Sequence, residues 1–304
     1  MDFNIKDETS KLNVVMLGIA TDMGQKPLPE KCYDPKSIEN VLNGTYPKEQ
    51  DCIQELNLLK IIFEKYGVKV IHPKNIIGVN QIFTRDISFV IEDKLIIPNI
   101  IDDRMQEING INDFLLSVDK KNIINAPENI FIEGGDVILH NDYIFIGYSD
   151  DYDFKQYKVA RTNKKGVDYI QELFPHKKII SFQLNKSDDD PYKNALHLDC
   201  CFQPIGRGMA ILCPDGFKKD KDVRFLVDFF GKENIITINR NQMYQMYTNV
   251  FSISNNLIIS EVNFSSLNHE LSKKGFKVET VKYSEISKMS GLLRCSTMPL
   301  KREV

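Results

Sequence analysis

The feature that most constrains this chain is a recurring order of short apolar runs. They come in pairs, each pair followed by a helical stretch and one further apolar run. Residues 13–19 form a run suited to a buried strand. Residues 48–66 place Ile53, Leu56, Leu59, Ile62 and Phe63 on one helical face, and Gly67 ends the helix before a strand at 68–72. The next round is a strand pair at 89–98 broken at Glu92-Asp93, a short helix at 109–117 and a strand at 122–125. A hairpin at 137–147 turns at Asn141-Asp142 and precedes a helix at 167–174 and a strand at 178–183. Strands at 198–205 and 208–213 lead to a helix at 223–230 and a strand at 234–238. The last round is 250–254, 257–260, a helix at 264–275 and a strand at 277–281. The rounds share no evident sequence, so the repeat is one of architecture. It predicts a mixed α/β fold of roughly five strand–strand–helix–strand units. Residues 24–47 read as a turn-rich connection, 150–158 as a surface loop, and 187–190 as an acidic loop closed by Pro191.

The chain has 304 residues, 42% of them hydrophobic, enough for a sizeable core. No composition shift divides it, so a single domain is expected over 13–304, preceded by a polar segment at 1–12. A net charge of -3 gives no electrostatic case for nucleic acid or an anionic membrane. No apolar run approaches the ~20 residues of a membrane span. The polar N-terminal segment lacks the apolar stretch of a signal peptide. The six cysteines form no C-x-x-C pair and fit no disulfide or zinc spacing. Reduced thiols and a cytoplasmic location are therefore expected. Cys200 and Cys201, adjacent in an expected strand, should face opposite ways. Core packing explains every cysteine except Cys295.

Cys295 lies in Gly291-Leu-Leu-Arg-Cys295-Ser-Thr-Met-Pro-Leu300. A thiol titrates near ~8.5 and needs help to act as a nucleophile at neutral pH. Three earlier stretches carry suitable groups: Phe83-Thr-Arg-Asp86, Ile132-Glu133-Gly-Gly-Asp136 and His197-Leu-Asp199. A planar cation such as guanidinium is best held by carboxylates that accept two N–H bonds each. Asp86 and Asp199 are candidates, both expected at the ends of apolar strands. Glu133, before two glycines, fits a pocket wall or an ordinary turn equally well. His197 and Asp199 are two apart, and in an extended chain they share a face. His72, His140, His176 and His269 are expected at the surface.

The motifs Asn80-Gln-Ile-Phe-Thr-Arg-Asp86, Ile-Glu133-Gly-Gly-Asp, Ile146-Gly-Tyr-Ser, Arg161-Thr-Asn, His197-Leu-Asp199 and Arg294-Cys295-Ser-Thr-Met-Pro-Leu, in that order, resemble the guanidino-modifying enzyme superfamily. Within it the chain is most similar to arginine deiminase. The resemblance implies the pentein fold, a five-bladed pseudo-symmetric α/β propeller, with no metal or organic cofactor. It implies Cys295 as nucleophile, His197 as general acid/base and Glu133 as the carboxylate orienting that histidine. Asp86 and Asp199 would grip a guanidinium, and Asn80, Arg104 and Arg161 would hold an α-carboxylate. The implied partner is a small guanidino compound, and the implied reaction is arginine and water giving citrulline and ammonia. A homodimer is suggested by analogy alone. Dimethylarginine hydrolases resemble the chain in length but generally have Lys where Asp199 stands. Arginine dihydrolases, amidinotransferases and non-catalytic pentein binding proteins are the other relatives to weigh. Two departures from the deiminases bear on the site. No helical insertion domain precedes Asp86, and Leu292 and Leu293 stand where that family is richer in glycine. The 150–158 loop is expected to displace Arg161.

Overall fold

The computed structural model describes residues 1–303. Its strands fall into five three-stranded sheets of one design. In each, an antiparallel pair is extended by a parallel strand reached through a crossover. A parallel neighbour requires such a crossover, because a tight turn can only return the chain antiparallel.

The first sheet begins with β1 (Leu12–Leu17) and β2 (Lys69–Ile71), parallel and joined through the helix Glu49–Lys65. The second holds β3 (Phe89–Ile91), β4 (Lys94–Ile97) and β5 (Ile123–Asn125). The third holds β6 (Val137–His140), β7 (Tyr143–Tyr148) and β8 (Lys178–Gln183). The fourth holds β9 (Phe202–Ile205), β10 (Met209–Leu212) and β11 (Ile235–Thr237), and the fifth β12 (Phe251–Ser254), β13 (Leu257–Glu261) and β14 (Lys277–Val281). The chain then returns to where it began. β15 (Thr297–Arg302) pairs antiparallel with β1, from Leu12 opposite Arg302 to Leu17 opposite Thr297. This bond between distant parts of the chain closes the ring.

The hairpin turns explain the sharp strand reversals. Glu92 and Asn141 both adopt φ 54°, the left-handed conformation such turns need. Helix faces supply the packing. Glu49–Lys65 buries Cys52, Leu56, Leu59, Ile62 and Phe63 against its sheet, at roughly 1.5–3 kcal/mol for each large side chain. Helices Lys164–Leu173, Asp220–Phe230 and Ser265–Lys273 do the same for the third to fifth sheets. In the second sheet the crossover is a run of short turns, including Met105–Ile108 and Asn112–Leu116.

Several sequence expectations are corrected. The 24–47 connection contains a helix, Pro35–Leu42, capped by the Asp34 side chain. The 150–158 loop is mostly helical, Asp151–Gln156, and its Asp153 is tied to Lys218. The strand expected from 198 begins only at Phe202. His197 is extended, but Leu198–Cys200 is a 3-10 turn. Cys200 and Cys201 are therefore both buried and not split across a sheet. His140 is half-buried against Phe145, Phe229 and Phe230. Asp86 sits in a helical turn, Thr84–Ile87, and not at a strand end. Among the described residues all six cysteines are free and buried, and no helix is long and apolar enough to cross a membrane.

Candidate active site

The five sheets place their chemistry at one equivalent position, the loop leading into the first strand of each antiparallel pair. Asp86 precedes β3, Glu133 precedes β6, and His197 and Asp199 precede β9. Asn249 precedes β12, and Arg294 and Cys295 precede β15. Residues far apart in sequence are thereby brought to one end of the ring.

His197 is the best-held group. Its Nε2 lies 2.8 Å from Glu133 Oε2, and its Nδ1 lies 3.6 Å from Asp86 Oδ1. Burial alone would lower its pKa. The charge of Asp86 and the hydrogen bond to Glu133 outweigh that and lift it to about 8. Burial would raise Glu133, but Arg161 and His197 hold it below the ordinary carboxylate range. The Glu133-Gly-Gly-Asp136 motif also acts through its other members. A Cβ on Gly135 would lie 2.6 Å from His197 Nδ1 and 2.9 Å from Asp86 Oδ1. Gly134 is pressed against the Arg85 carbonyl. Asp136 Oδ1 accepts the Leu198 N–H at 2.9 Å. That bond turns the chain just past His197 and separates its side chain from that of Asp199.

Cys295 is 3% exposed. Its Sγ lies 3.2 Å from Asn249 Nδ2 and 3.6 Å from Asp199 Oδ2. Burial, then the charges of Asp199 and Asp86, push its thiol well above the ordinary range. Asn249 is fully buried, and its Oδ1 also accepts the N–H groups of Arg294 (3.0 Å) and Cys295 (3.1 Å). One side-chain amide therefore fixes both the backbone and the sulfur of Cys295.

Both arginines expected to hold an α-carboxylate are buried and engaged by the site's own carboxylates. Arg104 gives Nε and Nη2 to Glu107 and Nη1 to Asp86, all at 2.8 Å. Arg161 meets Glu133 at 3.4 Å and donates to the carbonyls of Tyr33 (2.7 Å) and Lys158 (3.0 Å). The 150–158 segment thus anchors Arg161 through Lys158 and does not displace it. Asn80 accepts the Ile82 N–H and lines a cavity of about 260 Å³ with Tyr33, Phe83, Glu107 and Met289. Cys295 and His197 do not line that cavity. Glu107 and Phe83 connect its wall to Arg104, Phe83 through its carbonyl.

Asp86, Glu133 and His197 converge closely enough to hold a metal ion. Asp86 and Glu133 already carry guanidinium partners, however, so the donor set is that of an ion-pair network. Asp86 Oδ1 is the exception. It is buried and has no hydrogen-bond partner among the described residues.

Sequence reasoning missed Asn249, Glu107 and Asp136 as working parts. Asn249 carries no motif, but it occupies the fifth copy of a position filled by chemistry in the other four sheets.

A family model described as N,N dimethylarginine dimethylhydrolase, eukaryotic, matches residues 43–302. The chain belongs to this family. This dimethylarginine dimethylhydrolase relative is 30% identical over 226 residues to the uncharacterized protein YkgA of Bacillus subtilis strain 168, covering 73% of this chain and 70% of that one. Its fold is shared with the N-terminal domain of ArgZ, an arginine dihydrolase from the ornithine-ammonia cycle in cyanobacteria. There the TM-score is 0.79 at 17% identity, over 96% of this chain and 98% of that one. SxtG, an amidinotransferase of Microseira wollei from the saxitoxin biosynthetic pathway, aligns with TM-score 0.78 at 18% identity, over 99% and 98%. The pentein superfamily and its five-module α/β architecture are thus established for this chain.

Proposed function

We propose that the chain hydrolyses the guanidinium group of arginine or a close analogue through a covalent intermediate on Cys295. The observation that carries this reading is the orphaned Asp86 Oδ1, buried beside His197 Nδ1 and lacking a donor. A buried carboxylate oxygen without a partner is costly, and a substrate N–H would satisfy it. Asp199 offers a second carboxylate beside Sγ. A guanidinium held between the two would present its carbon to the sulfur.

The same docking would activate the thiol. Asp199 and Asp86 disfavour the thiolate in the free site, and a cation between them cancels that effect. The thiol proton passes to solvent, and the thiolate attacks the guanidinium carbon. His197 gives a proton to the departing nitrogen as the C–N bond breaks, leaving an amidino-thioether. His197 then takes one proton from water, whose oxygen bonds the carbon; as the C–S bond breaks, the leaving sulfur takes the other proton and the thiol is restored. Arginine and water become citrulline and ammonia. Asn80, at the cavity wall, is placed to meet the substrate's amino-acid end. Arg104 and Arg161 support that end through exchange of their present partners.

A second reading is favoured by the family match. An Nω-methylated arginine would give citrulline and a methylamine by the same steps. Asp199 weighs against it, because a methylated nitrogen has fewer N–H groups to offer a carboxylate. Incubation with L-arginine and, separately, with asymmetric dimethylarginine, followed by mass spectrometry, distinguishes them. Citrulline with ammonia supports the first and citrulline with dimethylamine the second. Ornithine would instead indicate a dihydrolase, and no product from either would overturn both readings.

A further inference from the structure

The polar segment before β1 carries a buried carboxylate that the proposed reaction does not use. Glu8 is 4% exposed and lies outside the residues matched by the family model. The segment crosses the hairpin-turn end of the ring. Backbone hydrogen bonds join Ile5 to Glu92 and Lys6 to Asn141, and Asn4 bonds to Leu300 and Arg302 of β15. The loops bearing the candidate site lie at the other ends of the same strands. Asp7 accepts the N–H groups of Thr9 and Ser10, which turns the chain and leaves Glu8 pointing inward.

Glu8 meets the residue next to the nucleophile. Its Oε1 lies 2.9 Å from Arg294 Nη2, and its Oε2 lies 3.3 Å from Arg294 Nε. The remaining arm of that guanidinium, Nη1, donates to Asp199 Oδ2 at 2.8 Å. The same Oδ2 stands 3.6 Å from Cys295 Sγ. Arg85 approaches Glu8 at 3.9 Å, and the charge of Arg302 also acts on it. One buried guanidinium therefore joins two carboxylates, and one of these touches the thiol.

Arginine favours paired, fork-like contact with a carboxylate. Glu8 takes the Nε/Nη2 edge and the Val137 carbonyl accepts from Nη2 at 2.8 Å, so Asp199 receives a single N–H. Asp199 keeps its place beside Sγ, and its Oδ1 is met by the Cys200 thiol at 3.7 Å. Without Glu8, two buried N–H donors lose their partner, and the guanidinium is free to turn that edge towards Asp199, the carboxylate already in contact with it. Fork-like capture would draw Asp199 from the sulfur and neutralise it. We propose that Glu8 is a positioning residue, holding Arg294 to one contact with Asp199 and so keeping Asp199 available to a substrate cation beside Cys295. This rests on the roles assigned above to Cys295 and Asp199.

The test compares wild type, Glu8→Gln and Glu8→Asp by two readouts. The first is the pH dependence of iodoacetamide alkylation at Cys295, followed by peptide mass spectrometry. Loss of the Glu8 charge and neutralisation of Asp199 both favour the thiolate, so the alkylation midpoint of Glu8→Gln should fall by about half a unit to one unit. The second is steady-state turnover of L-arginine, where KM should rise about tenfold with a smaller change in kcat. Glu8→Asp, a carboxylate one methylene short, should lie between the two on both readouts. A merely structural Glu8 would lower thermal stability and the active fraction but leave KM unmoved in both variants and the midpoint unmoved in the charge-retaining Glu8→Asp, and that result would overturn the proposal. If Glu8→Gln does not fold, Glu8→Asp carries the test, and a wild-type midpoint for it overturns the proposal. Absence of arginine turnover by wild type would count against the proposed function alone, because the alkylation profile still reads Glu8.

Discussion

The two halves of the candidate site are held by opposite means. On the histidine side, charge meets opposite charge at short range. His197 is fixed by Glu133 and faced by Asp86, and those carboxylates are held by Arg161 and Arg104. On the thiol side, Cys295 is held by a neutral amide, and its nearest charge is a carboxylate that opposes ionisation. The contrast shows that the histidine half has its charges paired in advance, whereas on the thiol half the one adjacent cation, Arg294, is already taken up by Glu8 and Asp199, leaving no free positive charge for the sulfur. A substrate cation would supply it. Under the proposed function, selectivity for cations would then follow from how the thiol is ionised, as well as from how the substrate is bound.

The sharpest way to break this comparison is Cys295→Ala. Turnover of any guanidino substrate should fall by at least about 10⁴-fold, while folding changes little because the lost sulfur is small. Retained turnover would remove the thiol half altogether. Gly135→Ala attacks the other half. The added methyl would meet His197 Nδ1 at 2.6 Å and force the ring aside. A fall in kcat of about 10²-fold and a stability loss of about 1–3 kcal/mol are expected. Wild-type kcat in a folded variant would show that the ring has no fixed position to lose.

Asn249→Leu separates the halves. It removes the bonds to Sγ and to the Arg294 and Cys295 N–H groups. Alkylation of Cys295 should slow about tenfold, and the His197 titration followed by NMR should not move. A shifted His197 titration would mean that the halves are coupled. The smallest effect concerns pH. The His197 pKa is raised from 6.5 to about 8, so its contribution to stability is complete below about 6.5 and is lost as pH rises through about 8. It amounts to about 2 kcal/mol. Thermal midpoints measured from pH 6 to 8.5 should decline in wild type more than in His197→Gln; parallel declines would show that the histidine side is not charge-stabilised.

Much of the fold was legible because apolar runs and turn residues report directly on strands and hairpins. Glu92-Asp93 and Asn141-Asp142 mark their turns in the sequence, and the face containing Leu56, Leu59 and Phe63 marks its helix. What escaped depends on contacts between distant residues. His197-Leu-Asp199 reads as the start of a strand, but Asp136, from another sheet, takes the Leu198 N–H and winds the chain into a turn. Glu8 sits in a segment whose polarity suggests exposure, yet the interior cations Arg294, Arg85 and Arg302 make a buried carboxylate favourable there. The family resemblance singled out Arg104 and Arg161, but nothing in the sequence showed that Glu107, Asp86 and Glu133 would be their partners.

The closure of the ring by β15 on β1 has a consequence for the timing of activity. Cys295 lies on the approach to the strand that seals the circle, so the thiol, Asn249 and Asp199 cannot meet until the ribosome has released that strand and it has found β1. A nascent chain lacking it holds the histidine half without Cys295 beside it. Closure of the ring and assembly of the candidate site therefore share a step, and a chain without that strand would lack the thiol side of the site.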